Sequence, residues 1–163
     1  MNRGFTLLEV LIVLALVTVL AGMVLPLPRR HGDRMVLPQA MRRLRLGLDR
    51  GRLAAERSGQ PCAVHLSTQG WVAPPSSLLP VCEGALTTLA NPATVGLNLH
   101  SNLPDSLRFS SNGLILDGGM VVLSHRRLPR ASCLVIAPPL GITRSGVYQG
   151  DPSISFSSSR CRP

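Results

Sequence analysis

Few residues in this chain have both the type and the setting to do chemistry. Glu9 is the one acid in a run from Phe5 to Leu27 that is otherwise apolar or weakly polar. A carboxylate at the centre of a membrane helix costs on the order of 3 kcal/mol, so Glu9 needs a partner. The chemistry that could supply one is a cut in the chain. Cleavage after Gly4 would make Phe5 the new terminus and set its amine one helical turn from Glu9. The amine and carboxylate could then neutralise each other, within one chain or between neighbours in a helix bundle. There the pair would set axial register, and the acid would also suit the positive end of the helix dipole.

The remaining reactive side chains argue against catalysis. His31, His65, His100 and His125 are scattered, with no carboxylate at a telling spacing. No Gly-x-Ser-x-Gly elbow surrounds any serine. A chain without lysine has no phosphate-cradling Gly-rich loop with its Lys. Cys62, Cys82, Cys133 and Cys161 show no CxxC or CxxH spacing, which weighs against a metal site. No enzyme, metal or cofactor is expected. An even number of cysteines beyond an exported segment reads as disulfides. Of the three pairings, Cys62–Cys82 with Cys133–Cys161 is favoured because each closes a local loop, worth roughly 3 kcal/mol apiece.

The elements that must position Glu9 admit three readings. In an ordinary signal peptide, Arg3 is a minimal basic region and Val19-Leu20-Ala21 offers a cleavage site before Gly22. Glu9 then spoils the apolar core, and the run continues past the cut. In a plain membrane anchor, a run of about 23 residues rises about 34 Å, enough to span the hydrocarbon, but Glu9 is left unexplained. Only the cut after Gly4 gives the acid a role. One feature opposes it: Arg29, Arg30 and Arg34 follow the run while only Arg3 and the initiator amine precede it, and the more basic flank ordinarily stays in the cytoplasm.

Gly4-Phe5-Thr6-Leu7-Leu8-Glu9-Val10 resembles the processing signal of type IV pilins and type II secretion pseudopilins. The resemblance implies a leader at 1–4, cut after Gly4 by a prepilin peptidase, and methylation of Phe5. It also implies a transmembrane and filament-core segment at 5–27, with Glu9 serving assembly. The precursor would cross the bacterial inner membrane once, with its C-terminal part in the periplasm, before joining a filament of like subunits.

Beyond the run, Pro26 and Pro28 predict a kink. Leu37, Met41, Leu44, Leu48, Gly51 and Ala55 then recur at helical spacing as an apolar stripe, giving an amphipathic stalk over 28–58. Arg42, Arg43, Arg45, Arg50 and Arg52 lie largely off the stripe, on a solvated or filament-lining face, with a lipid-headgroup or nucleic-acid contact as the alternative. All 17 basic residues are arginine and the net charge is +9. Nine of these arginines fall between Arg29 and Arg57, so the basicity belongs mostly to the stalk. Ser58-Gly59-Gln60-Pro61 ends the helix. From Cys62 the period becomes two: strands at 62–67 and 71–73, then an irregular insertion at 74–105. A hairpin of 107–111 and 114–116 follows, turning at Asn112-Gly113 with type I′ geometry. Further strands are expected at 120–124, 133–137 and 142–144, with a last one near Ile154. The fold class is α+β: a long N-terminal helix, membrane segment plus stalk, packed on an antiparallel sheet domain at 61–163.

Arg108-Phe109 before Asn112-Gly113, the strand at Met120–Ser124, Leu134-Val135-Ile136 before Gly141, and Leu53-Ala54-Ala55-Glu56 leading to Gly70-Trp71 are similar to the GspH/FimT family of minor pseudopilins. The resemblance implies a subunit that primes or tips a filament. Some relatives take up DNA through Gly-Arg-x-Arg; here Gly141-Ile142-Thr143-Arg144 lacks the first arginine. The other candidate phosphate contacts are Arg126, Arg127, Arg130, Arg144, Arg160 and Arg162, with few aromatics nearby for base stacking. A secreted, disulfide-bonded binding module is the alternative from another class.

Overall fold

The computed structural model describes residues 6–24, 30–89 and 96–163. It divides into two compact units, 1–31 and 32–163. In the first, helix α1 runs Leu7–Val24. Phe5 and residues 25–29, with Pro26 and Pro28 and their expected kink, lie outside the described residues.

The second unit, the head, is built on helix α2, Arg30–Ser58. Its stripe of Leu37, Met41, Leu44, Leu48 and Ala55 is buried. Pro38 sits inside the helix at an exposed position. Two glycines let α2 approach the sheets closely. A Cβ at Gly47 would stand 2.0 Å from Cδ1 of Trp71, and one at Gly51 2.7 Å from Cζ of Phe109. The Trp71 Nε1–H donates to the Leu44 carbonyl at 2.8 Å, locking the indole against the helix. Helix α2 stops at Ser58. Gly59 follows with a φ of +62°, the left-handed conformation that glycine adopts without strain.

Two antiparallel sheets pack on α2, where the strand pattern alone predicts one. The first has the order β3-β2-β1-β5, with β1 Cys62–Ser67, β2 Gly70–Val72, β3 Thr87–Thr88 and β5 Leu107–Phe109. The second has the order β4-β6-β7-β8-β9, with β4 Leu97–Ser101, β6 Gly119–His125, β7 Ala131–Ala137, β8 Ile142–Tyr148 and β9 Cys161–Arg162. Val121, Leu123, Leu134 and Ile136 share one core with the α2 stripe. Met120, Val122 and Cys133 turn to the other face and form a second cluster with Tyr148 and Cys161. Burial on both faces explains why β6 and β7 read as continuous apolar runs rather than alternating ones.

Several expected elements differ. The stretch 74–105 supplies β3 and β4, so it is no simple insertion; β4 pairs with β6 from Leu97↔His125 to Ser101↔Val121. The turn at Asn112-Gly113 is not type I′, because that type needs positive φ at both central residues. Gly113 alone has it, at +70°. Instead the Gly113 N–H bonds the Ser110 carbonyl, and an isolated Phe109↔Ile115 bridge replaces the second strand. No strand forms at Ile154. The chain there makes turns and a 3-10 turn, Ser158–Arg160, before entering β9. Tyr148 and Phe156 stand with ring centroids 6.3 Å apart, and the Tyr148 hydroxyl donates to the Ser155 carbonyl. Those contacts, with the Ile154 and Ser155 N–H groups both donating to the Asp151 carbonyl, hold the segment without a ladder.

Cys62 is bonded to Cys82 and Cys133 to Cys161, with Cα separations of 5.0 and 5.7 Å. The first ties the 80–84 loop to β1, where Ala63 pairs in parallel with Val81. The second fastens the C-terminal segment to β7 beside the second cluster.

Candidate functional site: the N-terminal helix and the arginines of the head

Residues Thr6 to Leu20 are exposed throughout, and α1 has apolar residues on every side rather than on a single face. Leu7 is 79% and Leu20 63% exposed. A helix apolar all round is stable where lipid or other helices surround it. Its one internal hydroxyl is satisfied locally, since Thr18 donates to the Ala15 carbonyl at 2.8 Å, a common way to hold a hydroxyl within a helix. Among the described residues no helix is long and apolar enough to cross a membrane. Helix α1, Leu7–Val24, rises about 27 Å, short of the roughly 30 Å hydrocarbon thickness. The expected span at 5–27 includes Phe5 and residues 25–27, which lie outside the described residues.

The first turn of α1 carries a feature that the charge of Glu9 alone does not reveal. Thr6-Leu7-Leu8-Glu9 has the Thr-x-x-Glu spacing of a capping box. Half of that box is present: the Glu9 N–H donates to Thr6 Oγ1 at 3.3 Å. Among the described residues the carboxylate of Glu9 accepts no hydrogen bond, the reciprocal one from Thr6 included, and it stays exposed. Thr6 therefore caps the helix while Glu9 remains available for another charge. Gly4 and Phe5, the expected cleavage and methylation residues, are outside the described residues.

Residues 1–25 match the family model of the prokaryotic N-terminal methylation motif. The chain carries a type IV pilin-like prepilin signal. The match ends before α2 and the sheets begin. No curated protein and no solved structure is significantly similar to the chain.

The head's arginines separate into groups with different roles. Arg43 donates to the Thr88 carbonyl at 3.1 Å, Arg45 to Ser145 Oγ at 2.9 Å, and Arg52 Nε to the Gly113 carbonyl at 3.1 Å. These three bind α2 to β3, β8 and the 110–113 turn, so they do not form the solvated face expected of them. Arg108 makes the one salt bridge among the described residues, to Asp117 at 2.7 Å, with its backbone N–H also donating to that carboxylate. The side-chain hydrogen bond from Arg108 holds the Asp117 carboxyl below its ordinary pKa, and the same bond raises that of Arg108.

The phosphate-contact candidates only partly converge. Arg126, Arg127 and Arg130 lie in the β6–β7 connection. Arg162 pairs with Val147, which pairs with Ser132, so its backbone reaches the same end of the sheet as Arg130. Arg144 pairs with Val135, four residues further along β7 than Ala131. That places it about 13 Å away at the rise of a strand. Its guanidinium donates to the Ser158 carbonyl at 2.9 Å. Arg160 folds over Gly150 instead. Ile142, where the uptake motif has arginine, is an exposed apolar residue at the start of β8. Among the described residues no three His, Cys, Asp or Glu side chains gather as a metal set.

Proposed function

We propose that this chain is a minor pilin or pseudopilin of the GspH/FimT kind, cut after Gly4, methylated at Phe5, and assembled into a filament through α1. The prepilin signal over residues 1–25 carries this reading. Support comes from α1, an all-round apolar helix whose Glu9 carboxylate has no hydrogen-bond partner among the described residues. A helix of this kind leaves lipid only for an equally apolar helix bundle. There a carboxylate near the helix start meets the terminal amine of a neighbour, and the pair replaces a cost with a register constraint. The head folds outside the membrane, where an oxidising compartment lets Cys62–Cys82 and Cys133–Cys161 persist. The partners are a prepilin peptidase and other filament subunits; the work is assembly rather than turnover of a substrate.

Mass spectrometry of the mature chain, expressed in a host with a prepilin peptidase, tests this. The expected N-terminus is Phe5 carrying one added methyl group. A chain beginning at Gly22 or retaining Met1 to Gly4 refutes the proposal.

A further inference from the structure

An open groove of about 880 Å³ runs between the end of α2 and the disulfide-held 80–84 loop. Its α2 wall presents Arg50, Leu53, Ala54 and Arg57, spaced three and four apart so that they share one helix face. Val81 and Glu83 stand on the opposite wall. That wall is fixed covalently by Cys62–Cys82 and by two backbone bonds, Ala63 N–H to the Pro80 carbonyl at 2.9 Å and Cys82 N–H to the Ala63 carbonyl at 3.2 Å. The groove is therefore preformed. Leu53 and Val81 are 41% and 36% exposed within it.

The charges of the groove are not used by the fold. Arg43 and Arg45 bond to the sheets and Arg52 to the 110–113 turn, but Arg50 and Arg57 meet no carboxylate or carbonyl among the described residues. Arg57 lies in the last turn of α2, where a cation complements the helix dipole. Arg50, two turns earlier, has no such reason. The two stand one heptad apart on α2, with Leu53 and Ala54 between them. Along the axis that separation is about 10 Å.

We propose that this groove docks an acidic amphipathic helix of a different protein chain, one with carboxylates a heptad apart flanking apolar residues. Such a helix repeats the arginine spacing, so both guanidiniums pair at once while its apolar residues cover Leu53 and Val81. The chain's own α2 also carries two acids a heptad apart, Asp49 and Glu56, but they lie among the nine arginines from Arg29 to Arg57, so a second copy is repelled where a helix of net negative charge is not. Glu83 on the facing wall disfavours a phosphate backbone and orients the acidic edge of the guest towards α2. This inference rests on the groove and not on the prepilin signal.

The test uses the full chain in detergent micelles and a fluorescently labelled synthetic helical peptide with Glu at heptad spacing and Leu between. A counterpart carries Lys in place of Glu. Anisotropy should show the Glu peptide binding and the Lys peptide not. Arg50→Glu/Arg57→Glu should weaken the Glu peptide at least about tenfold and gain binding of the Lys peptide, a swap that misfolding could not produce. Leu53→Asp should weaken the Glu peptide with both arginines intact. The proposal is overturned if the two peptides bind alike, if neither binds, or if the double variant leaves the Glu peptide unaffected. Displacement of the Glu peptide by a short DNA duplex, with affinity falling steeply in salt, also overturns it in favour of a nucleic-acid surface. Failure of the Phe5 modification leaves this result untouched, so the two readings fail separately.

Discussion

Replacing Gly47 by alanine should destabilise the head, although alanine is the better helix former. Helix propensity alone favours the change by about 1 kcal/mol. Against it, the new methyl would lie 2.0 Å from Cδ1 and 2.5 Å from Nε1 of Trp71, where ordinary contact begins at 3.4 Å. The indole cannot swing aside, since it is fully buried and its Nε1–H is held by the Leu44 carbonyl one turn before Gly47. Helix and sheet must separate instead, by about 1.4 Å at this point if van der Waals contact is to be restored. That loosens the core which Leu44 and Leu48 share with Trp71. Overpacking of this kind costs about 3 kcal/mol, and losing the indole hydrogen bond adds about 1 kcal/mol. The expected net loss is about 3 kcal/mol, a large share of a typical domain's stability. Urea unfolding of the 32–163 unit followed by fluorescence reads this directly, because Trp71 is the single tryptophan. A Gly47→Ala protein with an unchanged or higher midpoint, and an unshifted emission maximum, would refute the close-approach argument.

Three further outcomes are expected. Glu9→Ala should leave cleavage after Gly4 largely intact, since the cap bond is donated to Thr6 by the backbone N–H of residue 9 and survives the change, but should impair incorporation into filaments; normal assembly, measured by shearing and immunoblot, would remove the amine-pairing argument. Cys133→Ser/Cys161→Ser breaks a bond spanning a sequence separation of 28 and should lose about 3 kcal/mol. It should also make residues 149–160 newly sensitive to limited proteolysis, whereas an equally resistant tail would show that Tyr148 and Phe156 suffice. Asp117 has its pKa lowered by Arg108. Its contribution is therefore fully present above the unfolded value of about 3.9 and is lost as pH falls through the lower folded value. Asp117→Asn should accordingly lower Tm at pH 7 and converge with the unmodified chain in acid; a Tm difference constant from neutral to strongly acid pH contradicts this.

The N-terminal signal was legible in the sequence because it depends on covalent order. The motif over residues 1–25 is a matter of residue types at fixed spacing along the chain, and an apolar run declares its own need for lipid or a bundle. The α2 stripe was equally legible, since the helical period maps directly onto one helix face. What sequence could not supply was how segments distant in the chain meet. Strand β4 was hidden in a stretch rich in turn residues because its place depends on β6, whose pairing edge no local pattern reports. The C-terminal segment reads as a strand at Ile154, but Tyr148, Phe156 and Cys133–Cys161 hold it over the second cluster by side chains instead. The arginines show the division most clearly. By spacing, Arg43, Arg45, Arg50 and Arg52 look alike, all off the apolar stripe. Tertiary structure alone decided that Arg43, Arg45 and Arg52 reach carbonyl and hydroxyl partners on β3, β8 and the 110–113 turn, while Arg50 and Arg57 line a groove whose other wall is the distant 80–84 loop. Charge is written in the sequence; whether a charge is consumed by the fold or left for a partner depends on which backbone comes within about 3 Å of it.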